Sequence, residues 1–82
     1  MAAPSFAADI LPLFTAIDIA HMARAHVMLG EYAYMSKPAN AQAVLDRLNG
    51  VGGPIMPPPP ASPWSAANIA LFKAWMAGGY QP

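Results

Sequence analysis

The sequence predicts an all-α fold, and three observations carry that reading. Apolar residues recur at helical spacing, most clearly in Ala41, Val44, Leu45 and Leu48, which fall at i, i+3, i+4 and i+7. No segment shows the period-two alternation of a half-buried strand. The one long irregular stretch, residues 50–64, is rich in glycine and proline, and no helix or central strand forms through such a run. The expectation is a bundle of three to four short helices with a Pro-rich loop, in a single domain over 1–82 whose core spans 5–79.

Ser5 is placed to cap a first helix, with Phe6, Ile10, Leu13, Phe14 and Ile17 at near-helical spacing behind it. Pro12 sits inside that pattern. It removes the hydrogen bond to the Ala8 carbonyl, so the helix is expected to kink or split there. A second helical stretch is expected from near Thr15 or Asp18 through His21, Met22 and Ala25 towards Val27, with Gly30 as its stop. Asp18 is expected to cap it. Residues 31–36 then form a tyrosine-rich turn or single helical turn. Ser36-Lys37-Pro38 begins a third helix, because proline in a first turn loses no bond the helix would have made. Asn49-Gly50 ends it. Residues 57–60, four prolines, are expected in extended polyproline conformation. Ser65 caps the final helix, whose buried face is Ile69, Phe72, Trp75 and Met76, and Gly78-Gly79 closes it.

Composition narrows the function. The 82 residues suffice for one domain, near the lower limit for a core that folds unaided. There is no cysteine, so no disulfide reinforces it. The chain is 56% hydrophobic but 10% charged, with four basic and four acidic residues, where ordinary domains carry about 25% charge. Balanced charge gives no electrostatic basis for binding phosphate backbones, so no nucleic-acid role is expected. Low surface charge favours association, and a protein partner or a homo-oligomer, most simply a dimer, is expected. No apolar run approaches the roughly 18–20 residues of a membrane span, so no membrane role is expected. The N-terminus has neither a basic n-region nor a long apolar h-region, and the expected location is the cytoplasm.

One series of motifs has a specific order. Phe6-Ala7-Ala8-Asp9-Ile10-Leu11-Pro12-Leu13-Phe14 leads to Ile17-Asp18-Ile19-Ala20-His21. Met56-Pro57-Pro58 follows far downstream, then Trp64, then Ile69-Ala70-Leu71-Phe72-Lys73-Ala74-Trp75 with glycines behind it. This order resembles the small bacterial cytochrome c domains, which carry F-x-x-D-I-x-P-L-F, C-x-x-C-H, M-P-P and I-x-x-F-x-x-W. The resemblance implies a cytochrome c-like bundle with the first and last helices crossing near the termini. In it Trp75 packs opposite Phe6 and Ile10. It also implies that His21 occupies the place of the proximal haem ligand and Met56 that of the distal one, the His/Met pattern of c-type haem. Ile17 and Ala20 stand at the cysteine positions and cannot attach haem. Covalent attachment in that family takes place outside the bacterial cytoplasm, and a cysteine-free relative is consistent with having left that pathway.

The reading that follows is a degenerate, haem-free cytochrome c-like domain that serves as a protein-interaction or structural module, with no cofactor. Its alternative is an electron-transfer protein whose non-covalent haem b is ligated by His21 and Met56, the two cofactor- and metal-binding candidates. A third possibility is that the vestigial pocket takes another apolar small molecule. A haem-free domain must close the space the haem once filled, with Ile17, Ile19, Met22, Met28, Leu45 and Met56 expected to turn inward. The apolar surface patch is expected at residues 28–35, where Met28, Leu29, Tyr32, Tyr34 and Met35 crowd one short turn, with the loop of residues 57–60 as the second candidate. Tyr32, Tyr34 and Tyr80 are expected at a surface or interface, and Trp64 in the core. His26, five residues after His21 and about 140° round a helix, is off the spacing of a helical metal pair; Met22, Met28 and Met35 are soft donors suited to copper(I), but read first as core filler. Asp9, Glu31 and Asp46 are scattered, no serine adjoins a histidine in an elbow motif, and the segment Gly50–Gly53 lacks the context of a phosphate loop. No enzymatic activity is expected.

Overall fold

The computed structural model describes residues 4–52, 55–56 and 63–82. Its described residues are mostly helical, and the only strand-like pairing among them is an isolated bridge between Ser5 and Gln81. The expected all-α class is observed.

The N-terminal segment behaves as Pro12 dictates. Ser5 Oγ accepts from the Ala8 N–H at 3.2 Å, and the Ser5 N–H donates to Asp9 Oδ2 at 2.8 Å. This reciprocal cap starts a wide π-helical turn over Phe6–Ile10, closed by the Leu11 N–H on the Phe6 carbonyl. Pro12 offers no donor for the Ala8 carbonyl, and the chain tightens to a 3-10 turn over Leu11–Leu13. Phe14 and Thr15 are extended, and the next helix leaves at 83° to the first segment.

Four α-helices follow: α1 Ala16–Ala23, α2 Tyr32–Met35, α3 Pro38–Leu48 and α4 Ala66–Ala77. Thr15 caps α1 by accepting from the Asp18 N–H at 3.0 Å, and the Asp18 carboxylate accepts from the Thr15 N–H at 3.3 Å. Asp18 is thus the N3 member of a capping box and not the cap itself, because Thr15 supplies a hydroxyl one turn earlier. Pro38 opens α3 after Lys37, and Ser65 Oγ caps α4 through the Asn68 N–H at 3.1 Å, as expected. The α3 stripe Ala41, Val44, Leu45 and Leu48 is buried throughout. On α4, Phe72 and Trp75 are fully buried, while Ile69 and Met76 are half-buried at the edge of the core.

Three helices end in the same way. In α3 the Val51 N–H bonds the Asp46 carbonyl and the Gly50 N–H bonds Arg47, with Gly50 at φ +74°. In α4 the Tyr80 and Gly79 N–H groups bond the Trp75 and Met76 carbonyls, with Gly79 at φ +91°. These paired 6→1 and 5→2 bonds are Schellman turns. After α1 the Val27 and His26 N–H groups bond the Met22 and Ala23 carbonyls in the same pattern, and His26 takes the left-handed position at φ +62°. This corrects two expectations. The regular helix ends at Ala23, short of Val27, and its stop is His26 instead of Gly30. Gly30 faces Ile19, whose Cγ2 would lie 3.6 Å from an added Cβ.

The core joins Phe6, Ile10 and Phe14 from the N-terminal segment to Leu29, Met35, Met56 and the buried faces of α3 and α4. Aromatic rings run through it in sequence. Tyr32 and Phe6 are 5.8 Å apart, Phe6 and Trp75 5.7 Å, Trp75 and Phe72 5.5 Å, Phe72 and Trp64 6.2 Å, and Trp64 and Phe14 5.0 Å. The expected contact of Trp75 with Phe6 is therefore present. Such pairs each add roughly 0.5–1.5 kcal/mol beyond buried area. The radius of gyration, 11.8 Å, matches the about 11.7 Å expected for this length.

The patch expected at 28–35 is not there. Leu29 and Met35 are completely buried, Met28 and Tyr34 are half-buried, and Tyr32 alone is partly open. A short turn can bury them because α3 and the N-terminal segment close over both of its sides. Residues 57–60 lie outside the described residues.

Four substitutions at three positions test these assignments. His26→Gly removes a left-handed penalty of roughly 1–2 kcal/mol but adds unfolded-state entropy worth about 0.4–1 kcal/mol, so urea unfolding should show a net gain near 0.5 kcal/mol. Gly50→Ala, at the equivalent place after α3, should lose about 1 kcal/mol by the same measurement. Trp75→Ala, which typically costs about 3–5 kcal/mol, should unfold a domain whose stability is of that order. Trp75→Phe should stay folded by circular dichroism with a lowered Tm.

Candidate functional site

The residues singled out by sequence lie on α1 and in the segment after α3. Helix α1 is fixed mainly at its two ends, by the capping box and by the turn at His26. It contains no buried residue. Ile17 is 80% exposed, and Ala16, Ala20 and His21 are exposed beside it. Ile19 and Met22 are half-buried and pack on the core from the opposite side.

Ile17 therefore does not turn inward as expected. Six residues were candidates to close the space of a lost haem, and the structure divides them. Leu45 and Met56 are in the core, Ile19, Met22 and Met28 are half-buried, and Ile17 faces outwards. At the second position of a short helix whose opposite face already carries Ile19 and Met22, the Ile17 side chain has no route to the core.

Met56 is only 4% exposed. Its N–H donates to the Arg47 carbonyl at 2.9 Å, and Ile55 lies against Gly50, so the segment after α3 folds back on the end of that helix. The thioether thus belongs to the hydrophobic core. His21 is on the exposed side of α1. His26 is likewise exposed. Among the described residues no three histidine, aspartate or glutamate side chains are grouped as a metal cluster. The Asp18 carboxylate is engaged by the Thr15 N–H, and its part is to hold the start of α1.

A cavity of about 190 Å³ opens between the end of α1, α2 and α3. Met22 and Val27 line it on one side, Tyr34 on a second, and Ala43, Val44 and Arg47 on a third. Neither His21 nor Met56 reaches it. Pockets for drug-sized ligands begin at roughly 300 Å³, and a porphyrin does not fit this space. The histidine and methionine do not fit a haem held between them either, one being on the surface and the other packed in the core.

No protein-family model, curated protein or solved structure matches the chain. The site is accordingly read from its own geometry. The cavity escaped sequence reasoning because its walls come from three elements, and no motif joins Val27, Tyr34 and Arg47 along the chain. Met22 and Tyr34 were legible singly, as core filler and as an amphipathic surface residue, but their convergence was not.

The opposite environments of His21 and Met56 predict opposite mutational effects. Met56→Ala should cost about 2–5 kcal/mol in chemical denaturation, and Met56→Leu less than about 1.5 kcal/mol. His21→Ala should stay within about 0.5 kcal/mol of the parent. A large loss at His21 with none at Met56 would contradict the placement of both.

Proposed function

We propose that this chain is a degenerate cytochrome c-like domain that holds no haem and works as a protein-interaction or structural module, associating through the exposed side of α1. The observation that carries the reading is Ile17: it stands at a position where the resembled family has a haem-attaching cysteine, and it is 80% exposed. Its neighbours one turn on, Ala20 and His21, carry no carboxylate and no lysine or arginine charge. An isoleucine exposed to this degree, on a chain with 10% charged residues, favours burial against another protein. A symmetric dimer is the simplest partner arrangement, since one patch then covers its own copy.

The packing of Met56 and the exposure of His21 support the haem-free part of the reading. The contact of the N-terminal segment with α4 through Phe6 and Trp75, which the resemblance implies, supports the cytochrome c-like part of the reading.

Sedimentation velocity at micromolar concentration tests the interaction. The parent chain should sediment as a dimer. Ile17→Asp should sediment as a monomer with an unchanged far-ultraviolet spectrum, because an acidic residue in a first turn suits the helix dipole. A monomeric parent that captures no protein partner would overturn the reading. The cofactor question has its own measurement: added haemin should give no stoichiometric Soret band. A band that forms at one haem per chain and disappears in His21→Ala would establish the electron-transfer alternative instead.

A further inference from the structure

We propose that the cavity between α1, α2 and α3 is a binding site for a small molecule with an apolar body of about one ring and a single anionic head, such as an aromatic or short branched carboxylate. Size sets the first limit. An apolar cavity of about 150 Å³ accommodates benzene, and this one measures about 190 Å³, leaving room for one ring and a small head group. The wall sets the second. Met22, Val27, Ala43 and Val44 give it an apolar lining, and Val44 is itself buried in the core, so the floor of the cavity is fixed.

Two polar groups set the third limit. Arg47 and Tyr34 both belong to the lining. Among the described residues neither makes a side-chain hydrogen bond or an ion pair, whereas nearby Asp46 is already engaged by Gln42 Nε2 at 3.0 Å. A guanidinium is a fork of donors matched to a carboxylate, and a phenol adds one donor more. Their backbones are held in place: the Arg47 carbonyl accepts from Gly50 and Met56, and the Tyr34 carbonyl accepts from Asn40 Nδ2 at 3.0 Å. An arginine and a tyrosine in the lining of an otherwise apolar cavity, with no acidic side chain beside them, favour an anion with an apolar tail over a cation or a sugar. The site is separate from the exposed side of α1, and its occupancy does not depend on how the chain associates.

The probe is benzoate, titrated into the full chain and followed by amide chemical shifts, with toluene and benzylamine as controls. Benzoate should shift residues around Met22, Tyr34 and Val44 saturably, and benzylamine should not. Arg47→Met, which keeps the stem and removes the charge, should weaken benzoate about tenfold or more while leaving toluene unchanged. Ala43→Leu should fill the cavity and abolish both; Ala25→Leu, from the other wall, serves if that variant does not fold. Absence of saturable benzoate shifts, toluene binding as tightly as benzoate, or benzoate binding that survives both the Arg47 and the filling substitutions would each overturn the assignment.

Discussion

The carbonyl of Gln81 organises the fold. It accepts two hydrogen bonds, from the Phe6 N–H and from Trp75 Nε1, each at 2.8 Å. One atom therefore ties the start of the chain, the end of the chain and the largest buried side chain together. Phe6 and Trp75 stack beside it, Tyr80 meets the indole edge-on at 5.2 Å, and the Tyr32 hydroxyl donates to the Tyr80 carbonyl. For this closure the chain must reverse sharply after α4. The left-handed pair Gly79 and Tyr80 makes the reversal, and Gln81 Nε2 holds it by donating to the Gly78 carbonyl at 2.9 Å. A domain of this size has few independent contacts, so a closure that satisfies both termini and the indole at once has a large share in its cooperativity.

Where the sequence was legible, the controlling physics was local. Ser5 and Ser65 cap because a hydroxyl reaches the N–H three residues on, and Pro38 opens α3 because its missing donor is not needed there. Pro12 splits the first helix for the converse reason. The α3 stripe follows from periodicity alone. Where reading failed, the deciding partner was distant or conditional. The stop of α1 is expected at Gly30, yet His26 takes the left-handed position four residues earlier. Leu29 and Met35 looked surplus within one short turn and were buried by elements far along the chain.

The candidate site shows the same division. Sequence brought His21 and Met56 together only through the resemblance to cytochrome c domains, not through any local rule. Met56 lies in the core, where a flexible thioether suits irregular gaps. Nothing comparable draws His21 inward, since α1 rests on the core through Ile19 and Met22 on its other side. The two residues follow separate packing demands, Met56 in the core and His21 on the surface.

Helix α1 is where stability and function part. Isoleucine at an exposed helical position is a poor choice for helix propensity, since its β-branch restricts the side chain against the preceding turn. It contributes little to the packing of the isolated chain either, being 80% exposed. Alanine, which occupies the other cysteine position at residue 20, would serve a solitary helix better on both counts. A surface selected only for the monomer thus has no use for Ile17. A surface covered by a second protein does, because burying such a side chain on association contributes about 1.5–3 kcal/mol. Single exposed apolar residues are common enough to need no explanation. What sets α1 apart is the combination of a helix with no buried residue, an isoleucine 80% exposed and uncharged neighbours one turn on. On that combination rests the proposal that the outer side of α1 is covered by a partner protein.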